Sequence, residues 1–245
     1  MYKKTKIMKH PWENEVEMSI LEHLEELRQR IFNSFIVFCI VTVLCFIYNK
    51  NLSYFLQQPA TGIKFLQLAP GEYLFASIKI AIYTGFITSS PFTVYQLMLF
   101  IIPGLTKKEA YILVPTLGCS MVLFFMGILF SYKILAPAAL IFLINYGADI
   151  VEPIWSFEEY FNFILLLMFS TGIAFQVPII QVILGTFEII SSNEMLSYWK
   201  YIIFIATIIS AILTPSTDPL TQIFMALAII FLYLTGIIIL KSINK

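Results

Sequence analysis

The stretch HLEELRQRI, residues 23–31, brings charged side chains to the edge of the first long apolar run of the chain. Glu22 and Glu26 are four residues apart, as are Glu26 and Arg30, so a helix would carry these charges on one face. A carboxylate can accept two parallel hydrogen bonds from an arginine guanidinium, which a lysine cannot supply. This face is therefore a candidate cation-binding site. The alternative is an amphipathic helix whose charges pair only with one another.

Other polar side chains lie in or beside apolar runs, and each has more than one interpretation. Gln96 and Gln176 could face the protein or a wet cavity, or each could form a single interhelical hydrogen bond. Glu109 fits an acidic residue favoured at a helix N-terminus by the helix dipole. Asp218 fits the N-cap of the last helix, with Pro219 at the first helical position, which leaves a further role open.

Sequence motifs of enzymes are missing from the chain. It contains no GxxxxGK[ST], GxGxxG or HExxH pattern, and its only histidines, His10 and His23, precede the first apolar run. The cysteines lie inside apolar runs without CxxC spacing, as small apolar residues do. We therefore expect a protein that is not an enzyme, without a metal site, a cofactor or a nucleic-acid partner.

The composition predicts an all-α membrane protein with several spans. Of 245 residues 59% are apolar and 12% charged, whereas a soluble domain has about half and about a quarter. Crossing a bilayer core of ~30 Å takes about 20 apolar residues in a helix. We expect one domain over residues 1–245, with its second span interrupted at 89–91 and its fourth broken at Pro178. The six predicted transmembrane helices are residues 31–49, 73–102, 110–135, 160–184, 198–213 and 220–240.

The segments beside the apolar runs predict the orientation of the chain in the membrane, and further features of its helices can be read from the sequence. Most Lys and Arg residues fall on the side of both termini, which predicts that the N- and C-termini lie on the cis (cytoplasmic or stromal) side. Ser19 and Glu22 fit a capping box, so a helix should begin there, lie in the interface and then turn into the first span. Residues 137–146 could form a short interfacial helix. The fifth span is short, about 24 Å, and either thins the bilayer or relies on snorkelling end residues.

Four sequence blocks, in this order, resemble the signatures of the TatC family, the polytopic core of the twin-arginine protein translocase. They are HLEELRQRI, SPFTVYQLMLFIIPGLTKKE, FQVP and TPSTDPLTQ. The resemblance implies that twin-arginine signal peptides of folded cargo bind at the cis face. It also implies assembly with TatA- and TatB-type single-span proteins and other TatC copies, for transport driven by the proton-motive force.

The resemblance also assigns individual residues. Family glutamates that recognise the signal-peptide arginines fall on Glu26 and Glu109, with Arg28 and Arg30 orienting Glu26. Many bacterial members have a glutamate where this chain has Gln176, and a neutral amide cannot exchange a proton. The positions expected to serve structure or partner contacts are Pro59, Gln96, Phe100, Gln176, Asp218 and Gln222.

The sequence leaves alternatives open for both the location and the function of the protein. Gln176 and the stretch QLAPGEYLFASIKIA resemble the cyanobacterial and plastid branch of the family, which implies a thylakoid membrane; a bacterial or mitochondrial inner membrane is the alternative. The alternative function is a small-solute secondary transporter with Gln96, Gln176 and Asp218 lining its path. Many transporters show internal repeats, and this sequence shows none. A structural subunit without a ligand is the third possibility.

Overall fold

The structure is a computed structural model that describes residues 20–60, 62–146, 154–214 and 218–243. It is almost entirely helical, in line with the apolar runs. A short parallel strand pair that the sequence did not predict, β1 (Lys64–Leu66) with β2 (Ile154–Ser156), joins two loops. The helices are α1 (Ile20–Ile47), α2 (Asn49–Gln57), α3 (Glu72–Ile101), α4 (Lys107–Phe130), α5 (Ala136–Tyr146), α6 (Phe157–Ala174), α7 (Val177–Thr186), α8 (Ser192–Ser197), α9 (Trp199–Leu213) and α10 (Pro219–Ile243).

The charged opening stretch and the first span form one continuous helix. α1 has 28 residues and is about 42 Å long at ~1.5 Å per residue. The predicted turn between an interfacial helix and the first span is therefore wrong. Because residues 20–47 contain neither Gly nor Pro, nothing interrupts the backbone hydrogen bonds of this helix. The helix start predicted at Ser19 lies outside the described residues.

Two prolines affect their spans differently. α3 continues through Pro91, whose missing N–H frees the carbonyl of Ile87, and the Ser90 hydroxyl donates to that carbonyl at 2.7 Å. The predicted interruption of the second span is therefore wrong. At Pro178 the fourth span does break, between α6 and α7, as the sequence predicts. A side chain thus satisfies the freed carbonyl where α3 passes Pro91.

The third span continues beyond its predicted end. A π-helical turn over Ser131–Leu135 joins α4 to α5. Residues 137–146, predicted as a short interfacial helix, are indeed helical, but the beginning of α5 packs inside the protein. There Ala136, Ala139 and Leu140 are almost fully buried. The first half of α5 therefore belongs to the core, whereas Ile141 and Tyr146 further along the helix are exposed.

Among the described residues, five helical runs are long and apolar enough to cross a membrane. α9 is a shorter apolar helix of 15 residues, about 22 Å long, which is less than a bilayer core of ~30 Å. At its start Lys200 Nζ lies 5.8 Å from the centre of the Trp199 ring, so this charge has an aromatic partner at the helix end. The longer runs are Leu21–Ile47, Glu72–Gly104, Glu109–Tyr146, Phe157–Thr186 and Pro219–Ser242.

Burial ranks the spans from the centre of the bundle outward. The most apolar stretch of the Phe157–Thr186 run is 61% buried inside the protein, and the corresponding stretch of α1 is 0% buried. α1 packs mainly along α3. At their crossing, a Cβ added to Gly85 would lie 3.0 Å from the Cα of Thr42. This glycine lets the two backbones approach closely, as small residues do between membrane helices.

Polar contacts close the face at which α1 ends and α3 begins, which is the predicted trans face. The carboxylate of Glu72 accepts the N–H groups of Ala69 at 3.1 Å and Glu158 at 3.0 Å, and also the hydroxyl of Ser156. Lys79 Nζ lies 2.6 Å from Glu158 Oε1. These contacts fasten the loop before α3 to the start of α6.

Candidate functional site

A cluster of polar side chains lies at the opposite face, where α1 begins and α3 ends; this is the predicted cis face. Arg30 donates from Nη2 to Glu26 Oε1 at 2.9 Å, within α1, and from Nη1 to Gln96 Oε1 at 3.2 Å, across to α3. The side chains of Arg30 and Glu26 are 30% and 19% exposed, and Gln96 is buried. The guanidinium thus links the carboxylate to the neighbouring helix.

The second oxygen of the Glu26 carboxylate has spare acceptor capacity. Oε2 is buried and accepts no hydrogen bond from any residue in the described part of the chain. An ionised carboxylate has about four acceptor positions, and a buried acceptor without a donor costs free energy. A donor brought by another molecule would recover that cost.

The two arginines of the opening stretch have different partners. Arg28 Nη2 lies 3.0 Å from Glu25 Oε1, and these side chains are 79% and 70% exposed. Such an exposed pair contributes little to stability. The structure therefore places Arg30, and not Arg28, beside Glu26. Arg28 instead adds a positive charge to the exposed face of α1.

An aromatic contact joins the start of α1 to the end of α3. The rings of His23 and Phe100 stack with their centres 4.3 Å apart and their planes 14° apart. Sequence reasoning singled out Phe100 and passed over His23. The position of His23 at the beginning of HLEELRQRI, one helical turn before Glu26, is the signal in the sequence that could have identified it. The stack is a second bridge between the helices that carry Arg30 and Gln96.

Glu109 lies at the start of α4, after the short connection from α3. Thr106 donates its backbone N–H at 2.8 Å and its hydroxyl at 2.7 Å to Glu109 Oε2, which forms a capping box. Glu109 Oε1 accepts no hydrogen bond from the described residues. A second box before α8 involves Ser191 and Glu194, where the backbone N–H and hydroxyl of Ser191 hold the pKa of Glu194 below its ordinary value. These carboxylates add negative charge to the predicted cis face.

Gln176 lies at the break between α6 and α7 and bonds to α4. Its Oε1 accepts the Ser120 hydroxyl at 2.8 Å, and its Nε2 donates to the Ser120 carbonyl at 3.0 Å. Both ends of the amide are used, and a carboxylate could not supply the second bond. Of the interpretations that the sequence left open for Gln176, these contacts support hydrogen bonding between helices.

Replacing Gln176 by leucine is expected to leave the protein folded but to lower its free energy of unfolding by about 1 kcal/mol, because both bonds to Ser120 are lost. The measurement is the unfolding transition in detergent. The matched controls are Ser120→Ala and the double variant. If the bonds carry the effect, the two changes together cost less than the sum of the single changes. Additive losses would contradict this explanation.

The remaining singled-out residues lie at the predicted trans face, away from Glu26. Asp218 is buried and its carboxylate accepts the N–H of Thr221 at 2.8 Å, so it caps α10 as the sequence predicts. The backbone carbonyl of Gln222 accepts the Ser210 hydroxyl at 2.8 Å, which ties α9 to α10. Pro59 is half-buried in the turn that follows α2. The fold brings together Glu26, Arg30, Gln96 and Phe100, and not these three.

Similarity to known proteins agrees with this architecture. The chain matches the family model described as "Sec-independent protein translocase protein (TatC)" over residues 22–227. It is 69% identical to the "tatC-like protein ycf43" of Gracilaria tenuistipitata var. liui, over 94% of this chain and 96% of that protein. It is 48% identical to "Sec-independent protein translocase protein TATC, chloroplastic" of Oryza sativa subsp. japonica, over 90% of this chain and 62% of that protein.

A solved structure shares both fold and sequence with the chain. The crystal structure of "Twin Arginine Translocase Receptor- TatC" superposes with a TM-score of 0.76 at 35% identity, covering 91% of this chain and 100% of that one. The predicted all-α, six-span fold is confirmed, and so is the prediction of a multi-pass membrane protein. The chloroplast relative supports a plastid membrane, such as the thylakoid. The chain belongs to the TatC family of Sec-independent protein translocases.

Proposed function

We propose that this chain is the receptor that binds twin-arginine signal peptides of folded proteins at its cis face, with Glu26 and Glu109 as the recognising carboxylates. The observation that carries the proposal is the Glu26 carboxylate, which has one oxygen held by Arg30 and the other buried without a donor from the described residues. The similar solved structure is that of a twin-arginine translocase receptor, which supports the same role.

Charge and geometry favour arginine as the ligand. A guanidinium presents paired N–H donors that fit a carboxylate, and it loses less hydration than an ammonium when it becomes partly buried. Because Glu26 is only slightly exposed, its attraction for a cationic ligand is also screened less by salt. A peptide with two adjacent arginines could engage Glu26 with one side chain and Glu109 with the other.

The proposal extends to membrane placement and partners. Both termini lie on the stromal side of the thylakoid membrane, and the chain assembles with TatA- and TatB-type single-span proteins and other copies of itself. The proton-motive force drives transport by the assembly, and the chain itself catalyses no reaction. The preference for arginine at the cis carboxylates is the part of this proposal that the purified protein can test directly.

The experiment compares a twin-arginine signal peptide with a twin-lysine control for binding to the purified protein in detergent, at low and at moderate salt. Clear preference for arginine supports the proposal. Equal and weak binding of both peptides contradicts a receptor role for the chain alone. Repetition with the single-span partners then tests whether recognition needs an assembled complex.

Glu109→Gln is expected to weaken twin-arginine binding by about tenfold, with at most a small loss of stability. Glutamine at this position can still form the capping box, because it also accepts from the backbone of Thr106. The variant therefore removes the charge and keeps the helix start. The control is Glu194→Gln, which makes the same change in the box before α8. Equal effects of the two variants would indicate a general charge effect and contradict a specific role for Glu109.

A further inference from the structure

We propose that Gln96 is a positioning residue that keeps Arg30 from pairing with both oxygens of Glu26, and so leaves the second oxygen of the carboxylate for an incoming arginine. This inference rests on the proposed function and assigns a specific role to one residue of that site. It concerns an internal competitor: Arg30 has the same guanidinium as the ligand and already lies beside the receptor carboxylate.

The hydrogen bonds show how the fork of Arg30 is divided. One terminal nitrogen, Nη2, donates to Glu26 Oε1 at 2.9 Å, and the other, Nη1, donates to Gln96 Oε1 at 3.2 Å. A guanidinium that met the carboxylate in parallel would use two nitrogens on two oxygens. Here one of the two faces Gln96 instead, and Glu26 Oε2 accepts from no described residue.

The fold fixes Gln96 better than it fixes Arg30. Gln96 lies on α3 and is 7% exposed, whereas the Arg30 side chain is 30% exposed and lies on α1, the least buried span. The stack of His23 on Phe100 holds the same ends of these helices together. Gln96 is also neutral, so it can hold Arg30 without competing with Glu26 for the charge of the ligand.

Loss of the Gln96 amide should therefore let Arg30 occupy the Glu26 carboxylate that would otherwise bind the ligand. In Gln96→Leu, Nη1 has no acceptor on α3, and the guanidinium can turn to pair with both oxygens of Glu26. An incoming arginine must then displace an intramolecular pair. A lysine at position 30 has no planar fork, so in the double variant Gln96→Leu/Arg30→Lys the carboxylate should again be available.

The experiment measures the Kd of a twin-arginine signal peptide for the wild type, Gln96→Leu and Gln96→Leu/Arg30→Lys. Gln29→Leu, at an exposed position of α1, is the matched amide-to-leucine control. We expect Gln96→Leu to raise the Kd about tenfold and the double variant to bind at least about threefold more tightly than Gln96→Leu. The unfolding midpoint in detergent monitors the fold, and Gln96→Asn, whose amide is one methylene shorter, replaces Gln96→Leu if that variant does not fold.

Rescue by the second change supports the inference, because a merely structural role for Gln96 would make the double variant no better than the single one. An unchanged Kd in Gln96→Leu, or a double variant that binds as weakly as the single variant, overturns the inference. The proposed function still stands in that case if the wild type prefers arginine to lysine. Loss of arginine preference in the wild type itself would contradict the proposed function, and this inference with it.

Discussion

Glu26→Gln is expected to weaken binding of a twin-arginine peptide by about ten- to a hundredfold and to remove the preference for arginine over lysine. The change keeps the shape of the side chain and removes its charge. The partly buried carboxylate would otherwise supply charge-assisted bonds of about 1.5–3 kcal/mol. Glutamine also leaves Arg30 facing the ligand as an unneutralised positive charge, which adds repulsion.

The matched control is Glu25→Gln, one residue earlier on the same helix. Glu25 pairs with Arg28 at 3.0 Å, but both side chains are largely exposed, so its charge is well screened. We expect less than about a twofold change in Kd for this variant. Comparable losses in the two variants would show that net charge near the start of α1, and not the Glu26 site, governs binding.

Gly85→Ala is expected to destabilise the protein by about 1–3 kcal/mol and to weaken peptide binding as well. The added Cβ would clash with Thr42 Oγ1 and would lie 3.0 Å from Thr42 Cα, and the backbone cannot turn away as a side chain can. α1 must then move from α3. Because α1 carries Glu26 and Arg30 and α3 carries Gln96, the shift separates the parts of the site.

The control for this variant is Gly118→Ala in α4, where an added Cβ meets nothing within 4 Å. Alanine is a better helix former than glycine by up to about 1 kcal/mol, so this variant should be as stable as the wild type or more so. The measurements are the unfolding midpoint in detergent and the Kd of the peptide. A Gly85→Ala protein with unchanged midpoint and Kd would contradict the close crossing of α1 and α3.

Local chemistry made several features readable from the sequence. Runs of apolar residues fixed the helical class, because an unpaired backbone is too costly in lipid. The cap at Asp218 and the break at Pro178 depend on residues within one helical turn, and both are confirmed. The predictions that failed each placed a turn or a break where the helix in fact continues. α1 does not turn, and α3 passes Pro91 because a neighbouring serine satisfies the freed carbonyl.

In the candidate site, too, some contacts follow from local sequence and others from the packing of the helices. Pairing of Glu26 with Arg30 follows from a spacing of four residues on one helix, so the sequence determined it. Attachment of Arg30 to Gln96, stacking of His23 on Phe100 and the bond of Gln176 to Ser120 join residues 56 to 77 positions apart. Only the packing of helices decides which of these distant side chains meet. That packing also left one oxygen of Glu26 without a donor among the described residues, which no local pattern encodes.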